Sequence, residues 1–337
     1  MYSFLRPFLF KIDPEKAHAL SLYFFRLFGF IPFRNILFRE FNSPNQEVRA
    51  FGLIFKNPVG LAAGYDKDGL AWRGLAALGF GHVEIGTVTP HPQPGNPSPR
   101  LFRLPDERAL INRLGFPSRG AAFVAKQLVA QRPSGIIVGV NIGKNQATPL
   151  EASTSDYLVL MRQFAPQVDY LAINVSSPNT VGLRRLQGKK ALLDLLTTLE
   201  EERQSMIQQI GRRTPILVKI APDLTDEELA DAIEVLLETN MDGVIASNTT
   251  VQRQGIRSSL RDEAGGLSGL PLKKRSTEMV RKIWQLTEGK LAIVGVGGVM
   301  SVEDVKEKLD AGAVLVQIYT GLVYQGPGLV RKILRGL

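Results

Sequence analysis

Eight short apolar runs recur along the chain from about residue 58, and helical patterns separate most of them. The runs are rich in β-branched residues or bounded by glycine, which is typical of strands buried on both faces. They cover residues 59–63, 82–88, 136–141, 170–175, 216–220, 243–247, 292–298 and 315–319. Eight strand–helix units predict an α/β fold of the (β/α)8, or TIM, barrel type. A doubly wound open sheet is the alternative, and eight units make it the weaker one.

The helical patterns carry start signals. The longest pattern covers residues 189–211. Thr225 is expected to cap the helix that follows it, and Ser301 to cap a helix with Glu303 and Asp304 in its first turn. A capping hydroxyl and early acids both suit the free N–H groups at a helix N-terminus. These positions therefore predict where helices begin.

The first forty residues differ from the rest, because they hold 11 of the 26 aromatic residues. Residues 1–10 place apolar side chains at helical spacing, with Pro7 a predicted break or kink. Asp13 and Pro14 predict the start of a second helix. Two short, basic, aromatic-rich amphipathic helices suit the plane of a membrane interface, and a helical hairpin packed on the main domain is the alternative. We divide the chain into a segment 1–40 and a barrel domain 41–337, joined by a turn-rich connection over residues 41–58.

Polar residues stand where the predicted strands end. Core packing favours none of these residue types, and the carboxyl ends of all barrel strands face one mouth. Their recurrence predicts a single functional site at that mouth. The residues are Lys67 just beyond the first strand, then Thr87, Asn141, Asn174, Lys219, Ser247, Asn248, Gly297, Gly298, Tyr319 and Thr320.

Composition narrows the chemistry. Zero cysteines exclude disulfides, thiolate metal sites and a cysteine nucleophile, and they fit a reducing compartment. The three histidines, His18, His82 and His91, are poorly placed for a serine–histidine–acid triad or a zinc site. The net charge of +9 suggests anionic partners or a solvated basic surface, but the basic residues are too dispersed to predict nucleic-acid binding. We expect neither a signal peptide nor a spanning helix.

Glycines and amides indicate what the site binds. Glycine clusters follow strands six to eight. Each cluster alone could form an ordinary tight turn or let the backbone contact a phosphate. Together they favour a phosphate-bearing cofactor. No strand–GxGxxG–helix pattern supports a Rossmann-type site. Asn112, Asn174, Asn179 and Asn248 suit the alternating N–H and C=O edge of a pyrimidine or cyclic amide. The lysines suit a carboxylate or a cofactor that becomes anionic.

Ten sequence blocks, in order, resemble those of the dihydroorotate dehydrogenase family, specifically its membrane-associated, quinone-using class. The resemblance implies FMN as cofactor, oxidation of dihydroorotate to orotate in pyrimidine biosynthesis, and re-oxidation of the flavin by ubiquinone or menaquinone. It also implies peripheral attachment to the cytoplasmic side of the cell membrane, with the N-terminal helices forming a quinone tunnel. The blocks are NPVGLAAGYDKDG, EIGTVTPHPQPGNPSPRLFRL, INRLGF, NIGKN, NVSSPNT, VKIAPDL, SNTT, GGLSG, GVGG and VQIYTG.

The resemblance also assigns expected site residues. Ser177 is the expected catalytic base, and Thr180 is a hypothetical partner in its proton relay. The expected FMN contacts are Ala63, Gly64, Tyr65, Asp66, Lys67, Thr87, Asn141, Asn174, Lys219, Ser247, Gly269, Gly298, Tyr319 and Thr320. The expected substrate contacts are Lys67, Asn112, Arg113, Leu114, Gly115, Phe116, Asn174, Asn179, Asn248 and Thr249, with residues 112–116 closing against the substrate. No metal is expected.

Three residues depart from the family's pattern: Tyr65, Val181 and Ser247. They affect individual contacts with the cofactor or the substrate rather than the expected reaction.

Two alternative functions stay open at this point. One is a related FMN barrel that acts on another pyrimidine or passes electrons to a soluble acceptor. The other is a peripheral membrane protein that serves as a binding module without catalysis.

Overall fold

The computed structural model describes residues 2–29, 46–129, 132, 133 and 135–337 of the chain. Within them, the strands are short and mostly buried. They are β1 (Val48–Ala50), β2 (Leu53–Phe55), β3 (Val59–Leu61), β4 (His82–Val88), β5 (Leu101–Leu104), β6 (Ala109–Asn112), β7 (Ile137–Ile142), β8 (Tyr170–Asn174), β9 (Ile216–Ile220), β10 (Gly243–Ala246), β11 (Gly266–Gly269), β12 (Ala292–Val296) and β13 (Leu315–Ile318).

Eight of these strands close into a parallel barrel, in the order β3, β4, β7, β8, β9, β10, β12 and β13, and β13 pairs with β3. All eight lie within a residue or two of the runs that the apolar pattern predicts. The (β/α)8 barrel is therefore confirmed, and the open-sheet alternative is wrong. In a closed parallel barrel, every strand ends at the same mouth, so the strand-end residues can meet there.

The helices surround the barrel or extend it. They are α1 (Tyr2–Leu9), α2 (Pro14–Gly29), α3 (Trp72–Ala76), α4 (Ala121–Leu128), α5 (Ser153–Phe164), α6 (Lys189–Ile210), α7 (Asp226–Glu238), α8 (Lys273–Thr287), α9 (Val302–Asp310), α10 (Thr320–Gln325) and α11 (Leu329–Gly336). The predicted caps are confirmed. Thr225 and Glu228 form a reciprocal capping box at the start of α7, and the Ser301 hydroxyl accepts from the N–H of Asp304 in α9.

A β-hairpin closes the N-terminal end of the barrel. Strands β1 and β2 pair antiparallel within the segment that the sequence predicts only as a turn-rich connection, so that prediction is wrong for residues 48–55. Phe55 is fully buried, and its ring makes edge contacts with the rings of Phe51 and His82. The hairpin therefore plugs the barrel on the side opposite the predicted site.

A second addition, which the sequence analysis does not predict, lies among the loops that follow the strands. Strands β5, β6 and β11 form a three-stranded antiparallel sheet. Gly266 pairs with Asn112, and Leu267 with Ile111, although about 150 residues separate the partners. This sheet carries Asn112 and the residues that follow it to the mouth of the barrel.

The N-terminal helices both pack on the barrel domain and expose an apolar face. The Tyr2 hydroxyl donates to the carbonyl of Val323, and Arg6 donates to that of Tyr324. Helix α1 continues through Pro7, so the predicted break is absent. Helix α2 begins as predicted, with two backbone N–H groups donating to Asp13. The large exposed apolar side chains of the two helices and the turn between them are Phe4, Leu5, Phe8, Ile12, Leu20, Tyr23, Phe24 and Leu27.

Residues 30–40 of the predicted N-terminal segment lie outside the described residues. Among the residues that the structure describes, no helix is long and apolar enough to cross a membrane.

Candidate functional site

The mouth of the barrel holds a cavity with about 1040 Å³ of empty space, including the part open to solvent. Strand ends supply its floor, the β5–β6–β11 sheet supplies one side, and glycine-rich loops supply another. Twenty of the predicted site residues line it: Ala63, Gly64, Lys67, Thr87, Asn112, Leu114, Gly115, Phe116, Asn174, Ser177, Asn179, Lys219, Ser247, Asn248, Thr249, Gly269, Gly297, Gly298, Tyr319 and Thr320.

Four predicted site residues lie near the cavity without lining it. Asp66 is fully buried and accepts from the N–H groups of Leu70 and Ala71, so it caps a turn. Burial raises the pKa of Asp66 to about 6. Arg113 pairs with Glu263 at the surface.

The other two of the four are Tyr65 and Asn141. Tyr65 lies behind the cavity, with its ring 5.6 Å from that of Tyr319 and 5.0 Å from that of His18 on α2. Asn141 lies below the cavity inside the barrel. Each contacts residues that line the cavity: Tyr65 contacts the ring of Tyr319, and Asn141 accepts from the side chains of Thr87 and Asn174.

Amides and hydroxyls at the cavity floor form one hydrogen-bonded network. The Asn174 Nδ2 donates to Thr87 Oγ1 (2.8 Å) and to Asn141 Oδ1 (3.1 Å). Asn248 Nδ2 donates to Asn174 Oδ1 (3.3 Å) and to Ser176 Oγ (2.9 Å). Because each amide is held by another, the floor presents polar groups in fixed orientations.

The network continues down to a buried carboxylate inside the barrel. Glu84 accepts from Asn141 Nδ2 (2.9 Å), from the Tyr170 hydroxyl (3.0 Å) and from Gln317 Nε2 (2.7 Å). Lys219 points into the same interior, and burial lowers its pKa while the charge of Glu84 opposes that shift. Lys219 therefore lies at the cavity floor, with the carboxyl group of Glu84 within electrostatic reach inside the barrel.

Ser177 lines the cavity on the loop that follows β8. Its Oγ accepts from the backbone N–H of Asn179 (3.2 Å), and the side chain of Asn179 donates to Asn112 Oδ1 (3.0 Å). The hydroxyl of Thr180 is buried and finds no hydrogen-bond partner among the described residues. Buried polar groups are normally paired, so a water is the expected partner of this hydroxyl.

The charges around the cavity favour an anion. Its lining includes Lys67 and Lys219, and none of the described lining residues is acidic. Lys67 Nζ donates to the carbonyl of Gly64 (2.7 Å). Burial lowers the pKa of Lys67 to about 8, so this ammonium loses its proton as the pH rises through about 8.

The glycine-rich side offers bare backbone. Gly297 and Gly298 have φ values of +123° and +73°, a region that side chains avoid. A Cβ on Gly298 would lie 2.5 Å from Cα and 2.7 Å from N of Lys273. Next to these glycines, the hydroxyls of Ser268 and Thr320 lie 2.8 Å apart. Exposed backbone N–H groups and hydroxyls without an acid are the groups that bind a phosphate.

Several lining residues were missed by the sequence analysis. Leu101 and Leu110 come from the antiparallel sheet, which no local pattern signals. Ser268 lies within the noted GGLSG cluster, but no signal separates its role from that of the glycines. The remaining missed residues are Ala62, Leu272, Val296, Val299, Gln317, Ile318 and Gly321.

Comparison with known proteins identifies the family. The family model for dihydroorotate dehydrogenase matches residues 46–337. The chain belongs to the dihydroorotate dehydrogenase family. The dihydroorotate dehydrogenase (quinone) of Christiangramia forsetii is 48% identical over 334 residues, covering 98% of this chain and 96% of that protein. The corresponding quinone enzyme of Vibrio parahaemolyticus is 47% identical over 340 residues, covering all of both chains.

Solved structures of dihydroorotate dehydrogenases also match the fold. A ligand-free DHODH structure from Eimeria tenella superimposes with a TM-score of 0.87 at 40% identity, covering 96% of this chain and 94% of that one. The complex of DHODH with ferulenol from the same organism has a TM-score of 0.86 at 37% identity, covering 96% and 90%. The similarity thus includes the N-terminal region as well as the barrel.

Proposed function

We propose that this protein oxidises dihydroorotate to orotate in pyrimidine biosynthesis, with FMN as cofactor and a quinone as electron acceptor. The observation that carries the proposal is the cavity itself. It brings Ser177, two lysines and four asparagines together beside a glycine-rich wall, although these residues come from five different parts of the chain. This combination serves an anionic cofactor and a small polar ring, and it offers nothing to a hydrolase that needs histidine or cysteine.

The residues present fit FMN. The bare backbone around Gly269, Gly297 and Gly298 suits its phosphate, and the hydroxyls of Ser268 and Thr320 add polar contacts. Lys219, set against Glu84, would stabilise negative charge that develops on the ring system. When bound, FMN supplies the acceptor for the hydride that leaves C6 of dihydroorotate.

The substrate would be held by amides and by Lys67. Asn112, Asn179 and Asn248 present both donors and acceptors, which the alternating N–H and C=O groups of the dihydroorotate ring require. The ammonium of Lys67 would pair with the substrate carboxylate. Because the amides are hydrogen-bonded to one another, binding costs little further ordering.

Ser177 would act as the base that takes the proton from C5. A serine hydroxyl is a weak base, so it must pass its own proton onward as it receives the new one. The free hydroxyl of Thr180, three residues away on the same loop, supports the relay hypothesis. If Thr180→Ala reduces its flavin at the rate of the parent protein, Thr180 has no part in the relay.

Electrons would leave on the side of the N-terminal helices. The rings of Tyr319, Tyr65 and His18 follow one another from the cavity wall to α2. Helices α1 and α2 expose seven large apolar side chains, with Phe4 and Phe8 the most exposed at 79% and 68%. We propose that this face lies on the cytoplasmic surface of the cell membrane, where a quinone can enter beside α2.

Two half-reactions test the function. Anaerobic addition of dihydroorotate should bleach the flavin, and a water-soluble ubiquinone analogue should then restore its colour. Bleaching by dihydroorotate with recolouring by a soluble acceptor but not by quinone would favour a related enzyme of another class. A preparation that neither contains nor binds FMN would indicate a binding module instead.

A vesicle assay tests the membrane contact separately. The double variant Phe4→Ser, Phe8→Ser should sediment less with anionic lipid vesicles than the parent protein does. The matched control is Val129→Ser, because Val129 is 80% exposed on the barrel domain. Equal loss of sedimentation in both variants would contradict the proposed face.

A further inference from the structure

Arg100 connects helix α2 with the loops of the mouth, and every nitrogen of its guanidinium is used. Its Nε and Nη2 donate to the carboxylate of Glu15 on α2, at 3.0 Å and 2.6 Å to Oε1. Its Nη1 donates to the carbonyls of Pro94 (2.6 Å) and Asn96 (2.8 Å). Because the planar guanidinium is hydrogen-bonded to Glu15 on one side and to two carbonyls on the other, it has one orientation. A lysine could not make the same set of hydrogen bonds.

The turn that Arg100 holds is itself bonded to the substrate loops. Asn96 Nδ2 donates to the carbonyls of Arg113 (2.9 Å) and Asn179 (3.3 Å). The backbone N–H of Asn96 donates to the carbonyl of Leu114 (2.9 Å). Residues 113–115 and 179 lie on separate loops, and Asn96 joins them.

Arg100 and Glu15 also act on the cavity through charge. Burial has the largest effect on the pKa of Lys67; among the nearby charges, Asp68 and Glu15 raise that pKa and Arg100 lowers it. The Arg100 side chain is 15% exposed and that of Glu15 35%, so the pair is partly shielded from solvent. Solvent therefore screens the electrostatic interaction of this pair with Lys67 less than it would screen that of a fully exposed pair.

We propose that Arg100 is a positioning residue for the substrate, and that Glu15 of helix α2 holds it in place. The way in which helix α2 packs on the barrel thereby sets the geometry of the loops that carry Asn112, Gly115 and Asn179. The proposal rests on the function proposed above, since it takes these loops as the substrate's contacts. It adds a link between the helix that faces the quinone and the affinity for orotate.

Orotate titration of the holoenzyme, followed by the change in flavin absorbance, tests the link. Glu15→Gln and Arg100→Gln should each raise the Kd for orotate about 5- to 50-fold, within the range of couplings between residues in one network. The double variant should be no weaker than Arg100→Gln alone, because the two changes break one interaction. Arg100→Lys should recover little, since an ammonium cannot serve the carboxylate and both carbonyls together.

Two further measurements separate positioning from loss of structure. FMN content and the rate of flavin reduction at saturating dihydroorotate should stay at the parent values, while KM for dihydroorotate rises. The matched control is Glu202→Gln, which breaks the two-bond pair of Arg162 and Glu202 on the barrel surface. It should leave the Kd for orotate unchanged.

An unchanged Kd in Glu15→Gln would overturn the proposal, as would an equal rise in Glu202→Gln. Asn179→Ala shows whether such a result concerns only the link to α2 or the proposed substrate site as well. If Asn179→Ala binds orotate normally, the proposed substrate site is wrong and the link falls with it. If Asn179→Ala loses binding and Glu15→Gln does not, the substrate site stands and only the link to α2 is wrong.

Discussion

Raising the pH should weaken orotate binding through Lys67. Burial lowers the pKa of this lysine from its ordinary 10.5 to about 8, and its protonated form is the one that attracts the substrate carboxylate. Below pH 8 the lysine is charged and the Kd should be constant. Above pH 8 the charged fraction falls about tenfold per pH unit, so binding at pH 9 should be about tenfold weaker, or ~1.4 kcal/mol.

The assay is a flavin absorbance titration with orotate between pH 6.5 and 9. Binding stabilises the charged lysine, so complex formation above pH 8 should also take up a proton, which calorimetry in buffers of different ionisation enthalpy detects. Lys67→Arg keeps the charge and should flatten the profile. Lys67→Met should bind weakly at every pH. A Kd that is constant up to pH 9 in the parent protein would refute this account of Lys67.

Three further variants test the structure around the site. Gly298→Ala should release FMN faster, measured by flavin fluorescence, because the new Cβ meets the backbone of Lys273; Gly211→Ala, whose φ is +70° with no atom within 4 Å, is the control and should retain FMN. Arg184→Met should lose ~3 kcal/mol in urea unfolding, since Asp223 loses its charged partner and keeps only the Thr250 hydroxyl and the Val251 N–H as donors; a loss under 0.5 kcal/mol would contradict this. Thr225→Ala should cost ~1 kcal/mol in the same assay with normal activity, because only the cap of α7 is lost.

The barrel could be predicted because its signals are local. Each strand is buried on both faces and reads as a short apolar run, and each helix carries its own cap and amphipathic pattern. The residues at the strand ends follow from the same rule, since a parallel barrel gathers all of those ends at one mouth. That is why the sequence alone places Thr87, Asn174 and Lys219 in the site.

The additions to the barrel could not be predicted, because their pairing is distant in sequence. Strand β11 finds its partner β6 about 150 residues earlier, so neither strand looks like a hairpin. The role of Arg100 depends on Glu15 and Asn96, which share no pattern with it. The positions of Tyr65, Asp66, Arg113 and Asn141 outside the cavity lining likewise depend on which way each side chain turns, which residue type alone does not determine.

The central claim is that Ser177 removes the proton while the amides and lysines hold the substrate. Stopped-flow measurement of flavin bleaching by dihydroorotate, without oxygen, tests it in Ser177→Ala. The account predicts normal FMN content and normal orotate affinity, with bleaching at least ~100-fold slower than in the parent protein. Bleaching within a few-fold of the parent rate would contradict the account, because another group would then have to be the base.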